Sequence, residues 1–407
     1  MCSHRRGGPT GLPPPRMPGK LRRMSEADPW QAVFSVLEQG IRDGVFPGAV
    51  ALCWHAGATL YHEAHGALAS HESASVKDRP VERDTVYDLG SLTKILCTTT
   101  LTAQLVSQGK LSLDDEVPEP WNAACPGATL ADLLEHCSGL AAHREYFTSV
   151  EPFDADKVLH HVINTPLEYP RREKAVYSDL GFIILGTWLE RVLDLPLDEA
   201  FADRIAYRLG LDDGVIPKLG FRRQVSRAAM GWKYERLVAP TEVYESSLHP
   251  DGAPSYLELR KPDGIAHGSV HDDNCFVMGG VAGHAGLFGT AEAVFEIACA
   301  WAEDRVPDVS SKVRERFWVP STVPGSTRRL GFDGIPGDGS GTTGNAMSEH
   351  TVGHTGFPGV TVWIDPAADG GPRIAVLLTN RVHLGRHEPA RIRGVRQAFH
   401  EAAVKLR

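Results

Sequence analysis

The sequence contains no Cys-x-x-Cys pair, and its seven cysteines (Cys2, Cys53, Cys97, Cys125, Cys137, Cys275, Cys299) are odd in number and scattered. That argues against a disulfide frame or a cysteine-bound zinc and points to reduced thiols in a reducing compartment, the cytoplasm. No apolar run reaches the roughly 18 residues of a membrane span. Positive charge is in deficit: 42 Lys and Arg stand against 51 Asp and Glu, a net charge of -9. That argues against a general nucleic-acid binder. Residues 1 to about 25 carry no acidic residue and no apolar stretch, so they do not read as a secretory signal. Their prolines forbid an amphipathic helix, and the segment is expected to be a disordered tail, with Met17 or Met24 as alternative starts. No internal repeat is visible.

What remains is an ordinary globular composition, 42% hydrophobic and 23% charged over 407 residues, enough chain for one large domain over 26–407. The spacing of Val33, Val36, Leu37 and Ile41 predicts a helix from Trp30 to about Gly44. Residues 49–54 and 59–63 read as a hairpin turning at Ala56-Gly57. His62 and His65 lie three apart in strand-like sequence, wrong for a metal pair, and are expected to face solvent. From about 110 to 270 the pattern is mostly helical. Thr129 is the expected cap of a short helix, and a long apolar helix runs over 182–192. Five glycines between 279 and 289 imply a backbone packed too tightly for side chains. A helix over 291–302, a Gly-rich surface loop at 337–344, strands at 351–354, 360–364 and 374–379, and a closing helix over 388–404 complete the chain.

Chemistry concentrates at Ser91-Leu92-Thr93-Lys94, where an extended segment at 85–87 gives way to helical spacing. Serine and lysine three apart in a first helical turn share one face. A serine hydroxyl attacks a carbonyl poorly until something takes its proton, and an amine kept neutral by burial can do so. Alone, such a pair also describes a capping serine beside an exposed lysine. Cys97, one turn on, is expected to be a small buried hydrophobe.

Two later elements accompany that pair: Tyr177-Ser178-Asp179 and His354-Thr355-Gly356. With the segment 133–140 and the strand 377–380, they make the chain resemble the serine β-lactamase and penicillin-binding protein superfamily from about Phe46 to His383. The likeness is to the branch with tyrosine in the second motif, which includes class C β-lactamases, D-aminopeptidases and esterases. The blocks 270–274 and 279–288 resemble a subgroup related to bacterial exo-acting N-acetylmuramyl-L-alanine amidases.

The resemblance implies an α+β fold: an antiparallel β-sheet with helices on both faces (about 26–90 and 275–407) and an inserted, mostly helical lobe (about 95–270). It implies Ser91 as the acylated nucleophile, Lys94 as a neutral or proton-sharing base, and Tyr177 as proton relay. The oxyanion hole would be the N–H groups of Ser91 and Phe357. Asp179 would orient substrate or hold Lys94, and His354, Thr355 and Gly356 would border the substrate. His271 and Asp272 either line the acyl pocket or brace a loop, and His284 is expected to be structural. No cofactor or metal is implied, and the partner is a small-molecule or short-peptide substrate.

Two positions depart from class C enzymes: Asp179 stands for asparagine and His354 for lysine. A neutral histidine grips a substrate carboxylate less well than lysine. The expected activity is therefore ester or amide hydrolysis, on a peptidoglycan fragment for example. A β-lactamase proper and a non-catalytic penicillin-recognising module are the alternatives.

Overall fold

The computed structural model describes residues 28–72, 74–211, 218–223, 237–243, 265–386 and 388–407. The tail expected over 1–25 lies outside them. Helix α1, Pro29–Arg42, starts where the Asp28 carboxylate accepts the Trp30 N–H and proline takes the first helical position. Strands β1, Gly48–His55, and β2, Ala58–Gly66, form the expected hairpin. Its turn residues Ala56 and Gly57 both have positive φ, the twist that two-residue hairpins favour. Short strand β3, Tyr87–Asp88, leads to a π-helical turn, Lys94–Thr99, that continues as α2, Thr100–Ser107. Helices α3, Leu130–Leu134, α4, Ala155–Ile163, α5, Asp179–Leu193, and α6, Leu197–Phe201, follow. Thr129 caps α3 through a reciprocal pair with Asp132, as its position suggests.

Next come β4, Leu219–Phe221, α7, Asp273–Val277, β5, Leu287–Gly289, and α8, Ala291–Ala302. The chain closes with α9, Ser311–Phe317, β6, Asp333–Gly334, β7, Val352–Thr355, β8, Thr361–Asp365, β9, Arg373–Thr379, and α10, Pro389–Ala403. The main sheet is antiparallel in the order β2-β1-β9-β8-β7-β6. The fold is α+β, as expected, and the strand alternation sorts its two faces. Ala51, Cys53, Trp363 and Leu377 pack with Val33 and Leu37 of α1 and Phe399 of α10. Leu52, Val362 and Val376 pack on the other face with α8. His354 pairs with Val362 in the same cross-strand row, so its ring projects toward that second face.

Two expectations change. A second sheet, β3-β5-β4, joins Tyr87 to Gly289 and Leu219, placing a strand in the stretch expected to be helical. Strands of two and three residues are too short to show a period. His65 does not face solvent: it is buried against α1, bonded to the Tyr61 hydroxyl (2.8 Å) and to Glu38 (2.9 Å). The glycine-rich segment is as tight as its composition suggests. A Cβ on Gly283 would lie 2.1 Å from the Phe182 carbonyl of α5. Residues 337–344 form irregular turns, tied to α10 where Gln397 donates to the Gly341 carbonyl (2.8 Å).

Candidate active site

The Ser91 corner is held from both sides. The buried Asp88 carboxylate accepts the N–H groups of Gly90 (2.7 Å) and His271 (2.6 Å). Gly90 takes φ +46, and a Cβ there would meet the Pro358 ring at 2.7 Å and Phe357 N at 3.6 Å. Only glycine fits that corner, which presses Ser91 against the 356–358 turn. The chain then coils so that Lys94 returns beneath Ser91.

Lys94 is fully buried, and its Nζ has three partners: Ser91 Oγ at 3.1 Å, Asp179 Oδ1 at 2.8 Å and the His284 carbonyl at 3.0 Å. A carbonyl only accepts, and so does an ionised carboxylate. Two Lys94 N–H bonds are therefore committed, and the third tetrahedral direction of Nζ points at the serine oxygen. That direction holds either a proton or the lone pair that could receive one. Burial disfavours the lysine charge, but Asp179 and Tyr177 outweigh it and hold the Lys94 pKa above its ordinary value. Burial would likewise raise Asp179, yet Lys94, His143 and His284 keep its carboxyl well below the usual range. The resting pair is thus ammonium and carboxylate.

Ser178 caps α5, its hydroxyl accepting the Gly181 N–H, so Asp179 begins the helix that was expected to start near Phe182. His136 sets the preceding residues: its ring accepts the Ser178 N–H at 3.0 Å and its carbonyl the Val176 N–H at 2.9 Å. This presents the Tyr177 ring to Lys94 Nζ, 4.8 Å from the centroid, and to the Arg328 guanidinium at 5.1 Å. The Tyr177 hydroxyl is buried without a hydrogen-bond partner. Burial raises its pKa, and the nearby Lys94 charge opposes that shift in part.

The end of β7 supplies the third side. His354 Nδ1 lies 2.7 Å from the Thr355 carbonyl, which can only accept, so Nδ1 carries the proton and Nε2 keeps a lone pair. That Nε2 is buried and unpartnered. Burial, then Lys94 and Arg328, push the His354 pKa down to about 3, so the ring is neutral at ordinary pH. Neither the Ser91 nor the Phe357 N–H donates to a protein acceptor among the described residues. Phe357 itself is 50% exposed and separates two cavities.

The first cavity, about 280 Å³, is bordered by Ser91, Tyr177, Asp179, His271 and Asp272. His271 stacks on the Phe357 ring (centroids 5.6 Å apart). Asp272 both caps α7 through the Cys275 N–H (2.8 Å) and pairs with His284 (2.9 Å). Both residues thus border the cavity beside Ser91 and also brace the surrounding loop. His284 holds Asp272 with its ring and Lys94 with its carbonyl, and Cys97 is a buried thiol behind Lys94.

The second cavity, about 370 Å³, is bordered by Ser91, Tyr177, His354, Thr355 and Gly356, and by Arg328, Arg381 and Arg396. The position where class C enzymes carry lysine is neutral here, yet four arginines, Arg393 included, line the same space. Sequence reading missed these arginines, along with His143, which bonds Asp179 Oδ2 at 3.3 Å, and Arg386, which joins the buried Glu242 to Asp273. None of them lies in a motif or at a spacing that marks it.

The chain matches the Beta-lactamase family over residues 33–399. It belongs to the beta-lactamase family. Within that family it is 29% identical to a putative D-alanyl-D-alanine carboxypeptidase of Escherichia coli (strain K12), over 89% of this chain and 83% of the relative. An N-acetylmuramyl-L-alanine amidase of Bacillus subtilis (strain 168) is also 29% identical, over 86% and 80%. Among solved structures, unliganded simvastatin synthase from Aspergillus terreus superposes with a TM-score of 0.68 at 18% identity, covering 93% of this chain and 98% of that one. EstCE1, a hydrolase with promiscuous acyltransferase activity, gives 0.65 at 20% identity, covering 90% and 98%. A penicillin-binding protein homologue from Caulobacter crescentus gives 0.64 at 21%, covering 92% and 97%.

Proposed function

We propose that this beta-lactamase-family protein is a serine hydrolase that forms an acyl-enzyme on Ser91 and releases it with water. The observation that carries the reading is the Lys94 amine, 3.1 Å from Ser91 Oγ with its other two N–H bonds committed elsewhere. When the third proton is absent, the Nζ lone pair takes the Ser91 proton as Oγ attacks the substrate carbonyl. The carbonyl oxygen becomes anionic against the free N–H groups of Ser91 and Phe357. Tyr177, unpartnered and within the field of Lys94, passes a proton to the leaving oxygen or nitrogen. In deacylation the same groups take a proton from water.

Substrates are small esters or amides, and the relatives' names favour short muramyl peptides or D-amino-acid amides among them. Neutral His354 gives penicillin-type acids no charge at the third motif, which ranks a β-lactamase role lower. A panel of a short-chain p-nitrophenyl ester, a D-amino-acid amide, a muramyl peptide and nitrocefin tests the reading. Turnover of at least one acyl substrate by the wild type, lost in Ser91→Ala, is expected. Undiminished hydrolysis by Ser91→Ala would reject the mechanism, and a permanent adduct without product release would favour a binding module.

A further inference from the structure

Arg396 and Arg381 are 7% and 6% exposed, and no carboxylate bonds either of them among the described residues. Taking a guanidinium out of water without a counter-charge is costly, so their donors show what they are kept for. Arg396, on α10, donates from Nη2 to the carbonyls of Gly356 (2.9 Å) and Val360 (2.8 Å). Arg381 donates from Nε to the Phe357 carbonyl (3.0 Å) and lies 4.6 Å from the Phe357 ring centroid. The Gly356 carbonyl and the Phe357 N–H belong to one peptide unit and point in opposite directions across it. Arg396 therefore grips the back of the peptide whose N–H faces the Ser91 corner.

We propose that Arg396, aided by Arg381, is a positioning residue for the oxyanion hole. It fixes and polarises the Gly356-Phe357 peptide, and the counter-charge missing at rest is the oxyanion formed during acyl transfer. The inference rests on the acyl-enzyme reading. As Ser91 Oγ bonds to the carbonyl carbon, the C=O pair moves onto oxygen, and that charge appears in front of a peptide backed by Arg396, with Arg381 holding the carbonyl of the next peptide, Phe357-Pro358. A hydrogen bond from a cation to the carbonyl strengthens the donor at the other end of the same peptide. The attraction is absent with neutral substrate and present only in the transition state, so it raises kcat rather than tightening substrate binding. Burial, Arg381 and Arg393 together depress the Arg396 pKa to about 9, consistent with a cation waiting for its anion.

The test uses the full-length protein, Arg396→Met, Arg396→Lys and Arg381→Met, with a p-nitrophenyl ester and with phenylboronic acid. The boronate forms a tetrahedral anion on a serine oxygen. For Arg396→Met, kcat is expected to fall about 10–100-fold, below the about 10²–10³ lost with an oxyanion donor itself. KM should stay within about twofold, and boronate affinity should weaken with kcat. Arg396→Lys should recover part of the loss. If Arg396→Met does not fold, a smaller parallel loss of kcat and boronate affinity in Arg381→Met supports the proposal, and unchanged values overturn it. A raised KM at constant kcat also overturns it, because the guanidinium would then be gripping an anionic substrate in the 370 Å³ cavity. A wild type that a fluorophosphonate fails to label sinks the acyl-enzyme reading itself, whereas a labelled wild type with an unaffected Arg396→Met sinks only this inference.

Discussion

Replacing Asp179 by asparagine should move the pH dependence of hydrolysis toward acid. The competent form has one proton fewer on the Lys94 cluster, so kcat/KM rises with pH through the lysine's apparent pKa. Asp179 Oδ1 lies 2.8 Å from Nζ and holds that pKa up. At an effective dielectric of about 20, two unit charges at this distance attract by about 6 kcal/mol, a ceiling of about four pH units. Asp179 divides its charge between Lys94 and His143, and its side chain keeps 16% exposure to solvent. Shifts from an adjacent opposite charge run at about 1–3 units, and a displacement in that range is expected. Asparagine keeps a carbonyl for Lys94, removes the charge and turns an amide N–H₂ toward His143 in place of Oδ2. The assay is kcat/KM for a p-nitrophenyl ester in wild type and Asp179→Asn, corrected for spontaneous hydrolysis. An unmoved rise, or one displaced toward alkali, would refute the view that Asp179 governs the proton on Lys94.

Tyr177→Phe should lower kcat about 10²–10⁴-fold with KM little changed, as read from steady-state kinetics on the same ester. Arg386→Met removes the cation shared by Glu242 and Asp273, and a loss of about 3 kcal/mol is expected in denaturant unfolding. Gly90→Ala should abolish labelling of Ser91 by a fluorophosphonate, because the corner cannot hold a Cβ against Pro358. Acid should destabilise the protein through buried neutral histidines. His354 and His400 are pushed down to about 3 and His383 to about 4, chiefly by burial. The unfolded chain binds these protons first, so stability is lost as pH falls from about 6.5 toward 3, by up to about 1.4 kcal/mol per group per unit. His400→Leu should make that acid limb shallower in thermal melts; an unchanged slope would remove His400 from the explanation.

The regular elements were legible because their periods are long enough to read. The hairpin at 48–66, the three last strands and α10 lie within three residues of their expected bounds. Ser91 and Lys94 could be paired from spacing alone, since three residues in a helical turn fix their side of the helix. Contacts between distant segments could not be read. His143 reaches Asp179 across 36 positions, Arg396 reaches Gly356 across 40, and neither neighbourhood carries a pattern. His65 was misjudged because alternation in a strand does not say which face a helix covers. The start of α5 lies earlier than the expected Phe182 because the polar Ser178 and Asp179 form its cap and first residue, with no apolar spacing to mark them.

Rapid-quench mass spectrometry during turnover of a p-nitrophenyl ester, followed by peptide mapping, tests the Ser91–Lys94–Tyr177 arrangement most directly. The expected result is a transient mass increase of one acyl group on the peptide containing Ser91, longer-lived in Tyr177→Phe and absent in Ser91→Ala. An acyl group carried by any other residue, or steady turnover by Ser91→Ala, would contradict it.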